Sequence, residues 1–175
     1  MDRPIPDSYW VVEGVLLAGE YAGAARPGRA RQKLEALLDA GIRAFFDLTE
    51  AGELSAYDDI LCDLAGARGI TVTYERVPVP DMGVPDPDVL RALLSRLAEN
   101  VAAGVPSYVH CWGGIGRTGT VVGCWLVEQA GMEGHAALGR IVELRRGTPD
   151  GRRRSPETDE QCAVVRGWSR QRACP

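Results

Sequence analysis

The chain has 175 residues, 45% of them hydrophobic, which is enough for one domain with a sizeable core and too few for two comfortable ones. A formal net charge of −4 excludes general binding to nucleic acid or to a membrane surface, and no stretch reaches the roughly 18 apolar residues of a membrane span. Five cysteines, an odd number with no Cys-x2-Cys pair, exclude a disulfide framework and a zinc module and read as reduced thiols.

The first residues, Met1 to Pro6, show no basic region followed by an apolar run, so a cytoplasmic location is the expectation. Tyr9-Trp10-Val11-Val12 and Val15-Leu16-Leu17-Ala18 read as two short strands joined across Glu13-Gly14, with Gly19 ending the second. Pro27 opens a helix in which Leu34, Leu37 and Leu38 recur at helical spacing until Gly41. Residues 42–48 form a buried strand, and Tyr57, Ile60, Leu61, Leu64 and Ala65 mark a helix that ends near Gly69. The β-branched alternation of 70–77 predicts another strand. Four prolines and Gly83 then stiffen a loop over 77–88, with Asp86 as a turn residue and Asp88 as the cap of a helix over 88–103.

Strand 106–110 leads into a glycine-rich loop and an almost wholly apolar helix through 121–127. A helix over 135–146 presents Leu138, Ile141, Val142 and the stem of Arg145, leaves His135 at the surface, and ends at Gly147. In the final helix Ser155 is the expected cap, Pro156 takes the first position, and Gln161, Val164, Val165 and Trp168 share a face. Helices alternating with strands predict an α/β fold: one domain over 1–175, with a mostly parallel sheet of about five strands covered on both faces.

The chemistry concentrates in His110-Cys111-Trp112-Gly113-Gly114-Ile115-Gly116-Arg117-Thr118-Gly119. Glycines at 113, 114 and 116 let successive backbone N–H groups turn inward, so Trp112 to Gly116 make an anion nest at a helix N-terminus, with Trp112 either a wall of the pocket or packed inside. Arg117 closes that nest with a planar fork suited to two phosphate oxygens. The same amides, helix dipole and cation stabilise a thiolate on Cys111, which is the nucleophilic form. His110 precedes it on a strand, where neighbours face opposite ways, so it braces the loop rather than forming a dyad with the sulfur. For Thr118 two roles compete: donating to the sulfur, or capping the helix. Spacing alone is weak evidence, since Cys62 and Arg68 also stand six apart, but they lie on a helical pattern with neither strand nor nest before them.

HCWGGIGRTG resembles the signature loop of the cysteine-dependent protein tyrosine phosphatase superfamily, His-Cys-x5-Arg-Ser/Thr, and the small chain is more similar to its compact dual-specificity and bacterial branch. The resemblance implies metal-independent hydrolysis of a phosphomonoester through a cysteinyl phosphate, with Cys111 as nucleophile, Arg117 and the nest as phosphate ligands, and no cofactor. Asp81, first aspartate of Pro-Asp-x-x-x-Pro-Asp, resembles the family's general acid. Glu-Thr-x-Glu-Gln, ending at Gln161, is similar to the segment that packs beside the signature loop, where Gln161 either orients the hydrolytic water or sits at the edge of the core. A signature loop without lysine implies a monophosphorylated protein side chain as substrate, phosphotyrosine or else phosphoserine or phosphothreonine, the choice between them resting on the depth of the pocket. An inositol or other small-molecule phosphate, a phosphate-binding module without turnover, and a rhodanese-like sulfurtransferase are the alternatives.

Two charge runs are left over. Six acids between Asp47 and Asp63, with no base among them, read as solvated surface. Arg152, Arg153 and Arg154 read either as solvated surface too or as a cationic rim that attracts a phosphorylated protein. Cys124, Cys162 and Cys174 read as packing or surface residues, with a disulfide to Cys111 under oxidation as a further option. The expected partner is thus a phosphorylated protein, with no nucleic acid, membrane or metal, and nothing in the chain demands more than a monomer.

Overall fold

A computed structural model describes residues 2–169; Cys174 lies outside them. Five strands form one sheet in the order β1-β2-β5-β3-β4. β1 (Ser8–Val12) and β2 (Leu16–Gly19) are the expected antiparallel hairpin, and β2, β5 (Ser107–His110), β3 (Ala44–Asp47) and β4 (Thr73–Arg76) run parallel. β5 is therefore the central strand, so the loop that follows it emerges in the middle of the sheet's C-terminal edge. That is where open α/β sheets place their ligands.

Residue alternation divides the interior into two cores. Leu16, Ala18, Phe46 and Val109 face helices α3 (Pro87–Ala102), α4 (Gly116–Ala130), α5 (Gly134–Leu144) and α6 (Asp159–Gly167). Leu17, Phe45 and Tyr108, one residue out of step, face α1 (Pro27–Asp39) and α2 (Asp58–Arg68). The three inner strands β2, β5 and β3 are thus buried on both sides, whereas β1 and β4 close the two edges.

Local expectations needed several corrections. The buried strand is 44–47 rather than 42–48, and β4 is the short 73–76, partly exposed at the sheet edge. Asp86, not Asp88, caps α3: its side chain accepts from the N–H groups of Asp88 and Val89, and Pro87 takes the first helical position. Thr158, not Ser155, caps α6, in a reciprocal box with Gln161. Ser155 instead donates its hydroxyl to Ile115 O at 2.7 Å, tying the chain before α6 to the glycine-rich loop. On α5, Ala137 and Ile141 are buried while Val142 is 55% exposed, so the buried face lies one step round from the one expected.

Candidate active site

Cys111 stands immediately after β5, nearly buried, with α4 beginning at Gly116. Between them the chain turns through Gly114, at φ +66°, a conformation that glycine alone adopts freely. A side chain there would also strike the backbone of Gly19 and Glu20, so the loop lies directly on the end of β2. Tyr21 N donates to Trp112 O at 2.8 Å and secures the same contact. The loop is therefore held from two sides, by the β2 end and by Ser155.

A cavity of about 450 Å³ opens over this loop and is lined by Cys111, Trp112, Gly113, Ile115, Gly116 and Arg117, by Asp81 and Met82 from the proline-rich loop, and by Gln161. Gly114 belongs to the loop but lies underneath, against β2. Trp112 is 59% exposed, which decides it as a wall of the cavity and not a core residue. Arg117 has only 2% of its side chain exposed, and such a buried cation needs paired acceptors. It donates from Nη1 to Glu53 Oε2 (2.8 Å) and Val79 O (3.1 Å), and from Nη2 to Glu53 Oε1 (2.7 Å). Asp81 Oδ1 lies 3.1 Å from Nη2, its side chain 56% exposed on the cavity side. One guanidinium thus gathers the proline-rich loop, the loop after β3 and the nest.

Residues 22–131 match the family model Tc-R-P, described as polymorphic toxin system, DSP-PTPase phosphatase. The chain belongs to that family. It is 36% identical over 94 residues to cyclin-dependent kinase inhibitor 3 of Rattus norvegicus, across 53% of this chain and 43% of the relative. It is also 30% identical over 68 residues to tyrosine-protein phosphatase cdc-14 of Caenorhabditis elegans, 39% of this chain and 9% of that one. The chain therefore spans less than half the length of these curated relatives. Among solved structures it superposes on Tk-PTP in the active form with a TM-score of 0.68 at 28% identity, covering 91% of this chain and 94% of the other. Kinase associated phosphatase shares the fold with a TM-score of 0.70 at 23% identity over 91% and 90% of the two chains.

Within this DSP-PTPase domain the bracing histidine has a defined geometry. His110 is fully buried; its Nε2 lies 2.7 Å from Tyr57 Oη and its Nδ1 3.1 Å from Cys111 O. Burial holds its pKa down to about 4 despite Asp47 nearby, so the ring is neutral at ordinary pH. A neutral ring that donates from Nδ1 to the carbonyl accepts at Nε2, so Tyr57 is the donor there. Burial likewise keeps the Tyr57 hydroxyl protonated, its pKa raised well above the usual phenol value. Asp47 completes the buried cluster, accepting from Thr49 N and Oγ1 and from Tyr74 Oη.

Thr118 is the third residue of α4 and not its cap, and its hydroxyl is buried without a hydrogen-bond partner among the described residues. Gln161 Nε2 donates to Gly83 O at 2.8 Å, while its Oε1 accepts from the N–H groups of Glu157 and Thr158. Its amide joins the loop that bears Asp81 to the start of α6. It also sits so close to Gly116 that a side chain there would come within 2.9 Å of Oε1.

Glu53 was the residue missed. Reading the acids of 47–63 as solvated surface fails for Asp47, which is fully buried, and for Glu53, which holds Arg117; Glu50, Asp59 and Asp63 are exposed as expected. The available signal was positional, since Glu53 follows β3 at the same sheet edge as the nest, where a buried arginine needs a carboxylate. The arginine run also differs from the cationic rim. Arg153 lines the cavity but pairs with Glu157 (2.7 Å) and Asp150 (3.5 Å), Arg154 pairs with Asp159 (2.5 Å), and Arg152 is exposed. Cys62 is exposed on α2 and does not line the cavity, and Cys124 and Cys162 are buried.

Proposed function

We propose that this chain is a metal-independent phosphomonoesterase acting on phosphorylated protein side chains, phosphotyrosine foremost. The observation that carries the reading is one cavity lined at once by a cysteine in an amide nest, a buried arginine and a carboxylate on a rigid loop. Cys111 Sγ, as thiolate, attacks phosphorus in line, and the bond to the leaving oxygen breaks as Asp81 gives that oxygen its proton. The nest amides and Arg117 hold the equatorial oxygens throughout. An arriving phosphate oxygen replaces Asp81 at Arg117 Nη2, and Asp81, released from the cation and open to solvent, takes up from water the proton that it then gives to the leaving oxygen. Water then attacks the cysteinyl phosphate, Asp81 takes the water's proton, and the sulfur departs as thiolate, with the unpartnered hydroxyl of Thr118, next in sequence to Arg117, available to donate to it. Gln161 orients that water by fixing the Asp81 loop over the nest. Fixed donors supply the charge stabilisation in both steps, so the sequence of events calls for no metal or cofactor.

Acidic residues along the cavity wall, Asp7, Glu20, Asp150 and Glu157, favour a singly phosphorylated side chain over a polyphosphorylated inositol. No described helix is long and apolar enough to cross a membrane, and a nucleophilic thiol suits a reducing compartment such as the cytoplasm. The test is hydrolysis of para-nitrophenyl phosphate in excess EDTA. Turnover should survive Cys62→Ser, vanish in Cys111→Ser, and fall about 10²–10⁴-fold with loss of the basic limb of its pH profile in Asp81→Ala. Pure, folded wild type that binds phosphate without turning over the ester would overturn the proposal.

A further inference from the structure

The charge around the cavity mouth runs opposite to what a phosphate ester needs for long-range attraction. Asp7, just before β1, and Glu20, just after β2, come from the two ends of one hairpin and line the same wall, linked by Glu20 N donating to Asp7 O at 2.9 Å. Asp7 Oδ1 accepts from Asp150 N at 3.0 Å, and no cation pairs with Asp7 among the described residues. Glu20 is held in place by Lys33, the one lysine of the chain, at 3.2 Å; Lys33 Nζ also donates to Tyr21 O and Gly23 O. Asp150 shares Arg153 with Glu157.

The nearby cations are thus already committed. Arg117 is occupied by Glu53, and Arg145, itself only 3% exposed, spends its guanidinium on the backbone carbonyls of Asp150 and Arg153. Those bonds fix the segment that carries Asp150, so the acidic wall is a built surface and not a set of loose side chains. Beside it, Trp112 and Met82, 59% and 50% exposed, offer an apolar ledge at the mouth of the same cavity. An apolar ledge beside an anionic wall complements a peptide that carries cations and an aromatic ring, and repels one with acidic flanks.

We infer that the mouth of the cavity selects phosphorylated peptides in which basic side chains flank the phosphorylated residue, and that Asp7 and Glu20 are the residues that read those cations. The inference rests on the phosphatase reading above. Two exposed rim pairs of this kind correspond together to a preference of at most roughly thirty-fold, weakened by salt.

The test compares kcat/KM for two phosphotyrosine peptides of the same core, one flanked by lysines and arginines and one by glutamates, at about 50 mM and about 300 mM salt. Para-nitrophenyl phosphate serves as the uncharged-flank reference. Wild type should prefer the basic peptide by roughly three- to thirty-fold at low salt and lose most of that preference at high salt. The double variant Asp7→Asn, Glu20→Gln, which keeps acceptors of the same shape, should bring the ratio of the two peptides towards one. Equal turnover of both peptides by wild type that hydrolyses para-nitrophenyl phosphate overturns the inference alone. No hydrolysis of any of the three overturns the phosphatase reading instead. A preference unchanged by the double variant removes Asp7 and Glu20 from the role, and one indifferent to salt in wild type removes its electrostatic basis even if the variants do not fold.

Discussion

Arg117 carries one positive charge into a place almost without solvent, and the residues around it are those that such a charge requires. Glu53 meets it as a fork, with both carboxylate oxygens within 2.8 Å of guanidinium nitrogens. The hydrogen bonds from Arg117 hold the Glu53 carboxyl below its usual pKa, against the opposing effect of its own partial burial. The pair fixes the plane of the guanidinium before any phosphate arrives, which removes a reorganisation cost from the reaction. Glu53→Gln keeps one acceptor and loses the other along with the charge. Hydrogen bonds to charged groups contribute about 1.5–3 kcal/mol, so kcat/KM for para-nitrophenyl phosphate should fall about tenfold or more. Steady-state kinetics alongside the melting temperature checks this; an unchanged kcat/KM would show that the nest alone orients Arg117.

At the scale of elements, the helix ends separate what a local rule can see from what it cannot. Pro87 at the first position of α3 points to the residue before it, Asp86, as the cap, and Thr158-x-x-Gln161 spells a capping box; both signals were present in the sequence and outcompeted by neighbouring residues of the same chemistry. Ser155 is a different case, because its bond to Ile115 O spans forty positions of chain and no local pattern contains it. The energetic consequence is testable on α3. Asp86→Ala should cost about 1 kcal/mol by urea unfolding, through loss of acceptors for two N–H groups, whereas Asp88→Ala, which removes only a first-turn charge, should cost a few tenths. Equal costs would mean that the first-turn charge matters as much as the cap. Gly114 stands at the other extreme of the same scale: its φ and its contact with Gly19 make it the point where the nest is seated on the hairpin, and the glycine-rich spelling did announce it.

For the whole molecule, alternating strand and helix patterns were enough to read an α/β fold with its nest at the end of a strand, and the Cys111, Arg117 and Asp81 trio could be placed by motif. Strand order, and with it the identity of the groups that surround the nest, is a tertiary matter: Glu53 and Tyr57 arrive from the segment after β3 only because β3 lies beside β5. That adjacency also buries His110 against Tyr21, Tyr57 and Tyr108 of the core that faces α1 and α2, which ties global stability to its protonation. In the unfolded chain the imidazole titrates near 6.5, whereas in the fold burial lowers its pKa to about 4. Between those values the unfolded state binds the extra proton, so stability is complete above pH 6.5 and is lost as pH falls towards 4. From pH 6.5 to about pH 5 the loss should reach about 2 kcal/mol, at roughly 1.36 kcal/mol per pH unit. Glu53 titrates below its usual value of 4.5 and so adds its own loss only at still lower pH, which leaves the upper window to the histidine. Urea unfolding at pH 7, 6 and 5 measures the slope directly, and His110→Gln should flatten it whatever its effect on absolute stability. A slope that persists without His110 would assign the acid sensitivity to another buried group, and the neutral ring that accepts from Tyr57 and donates to Cys111 O would lose its thermodynamic signature.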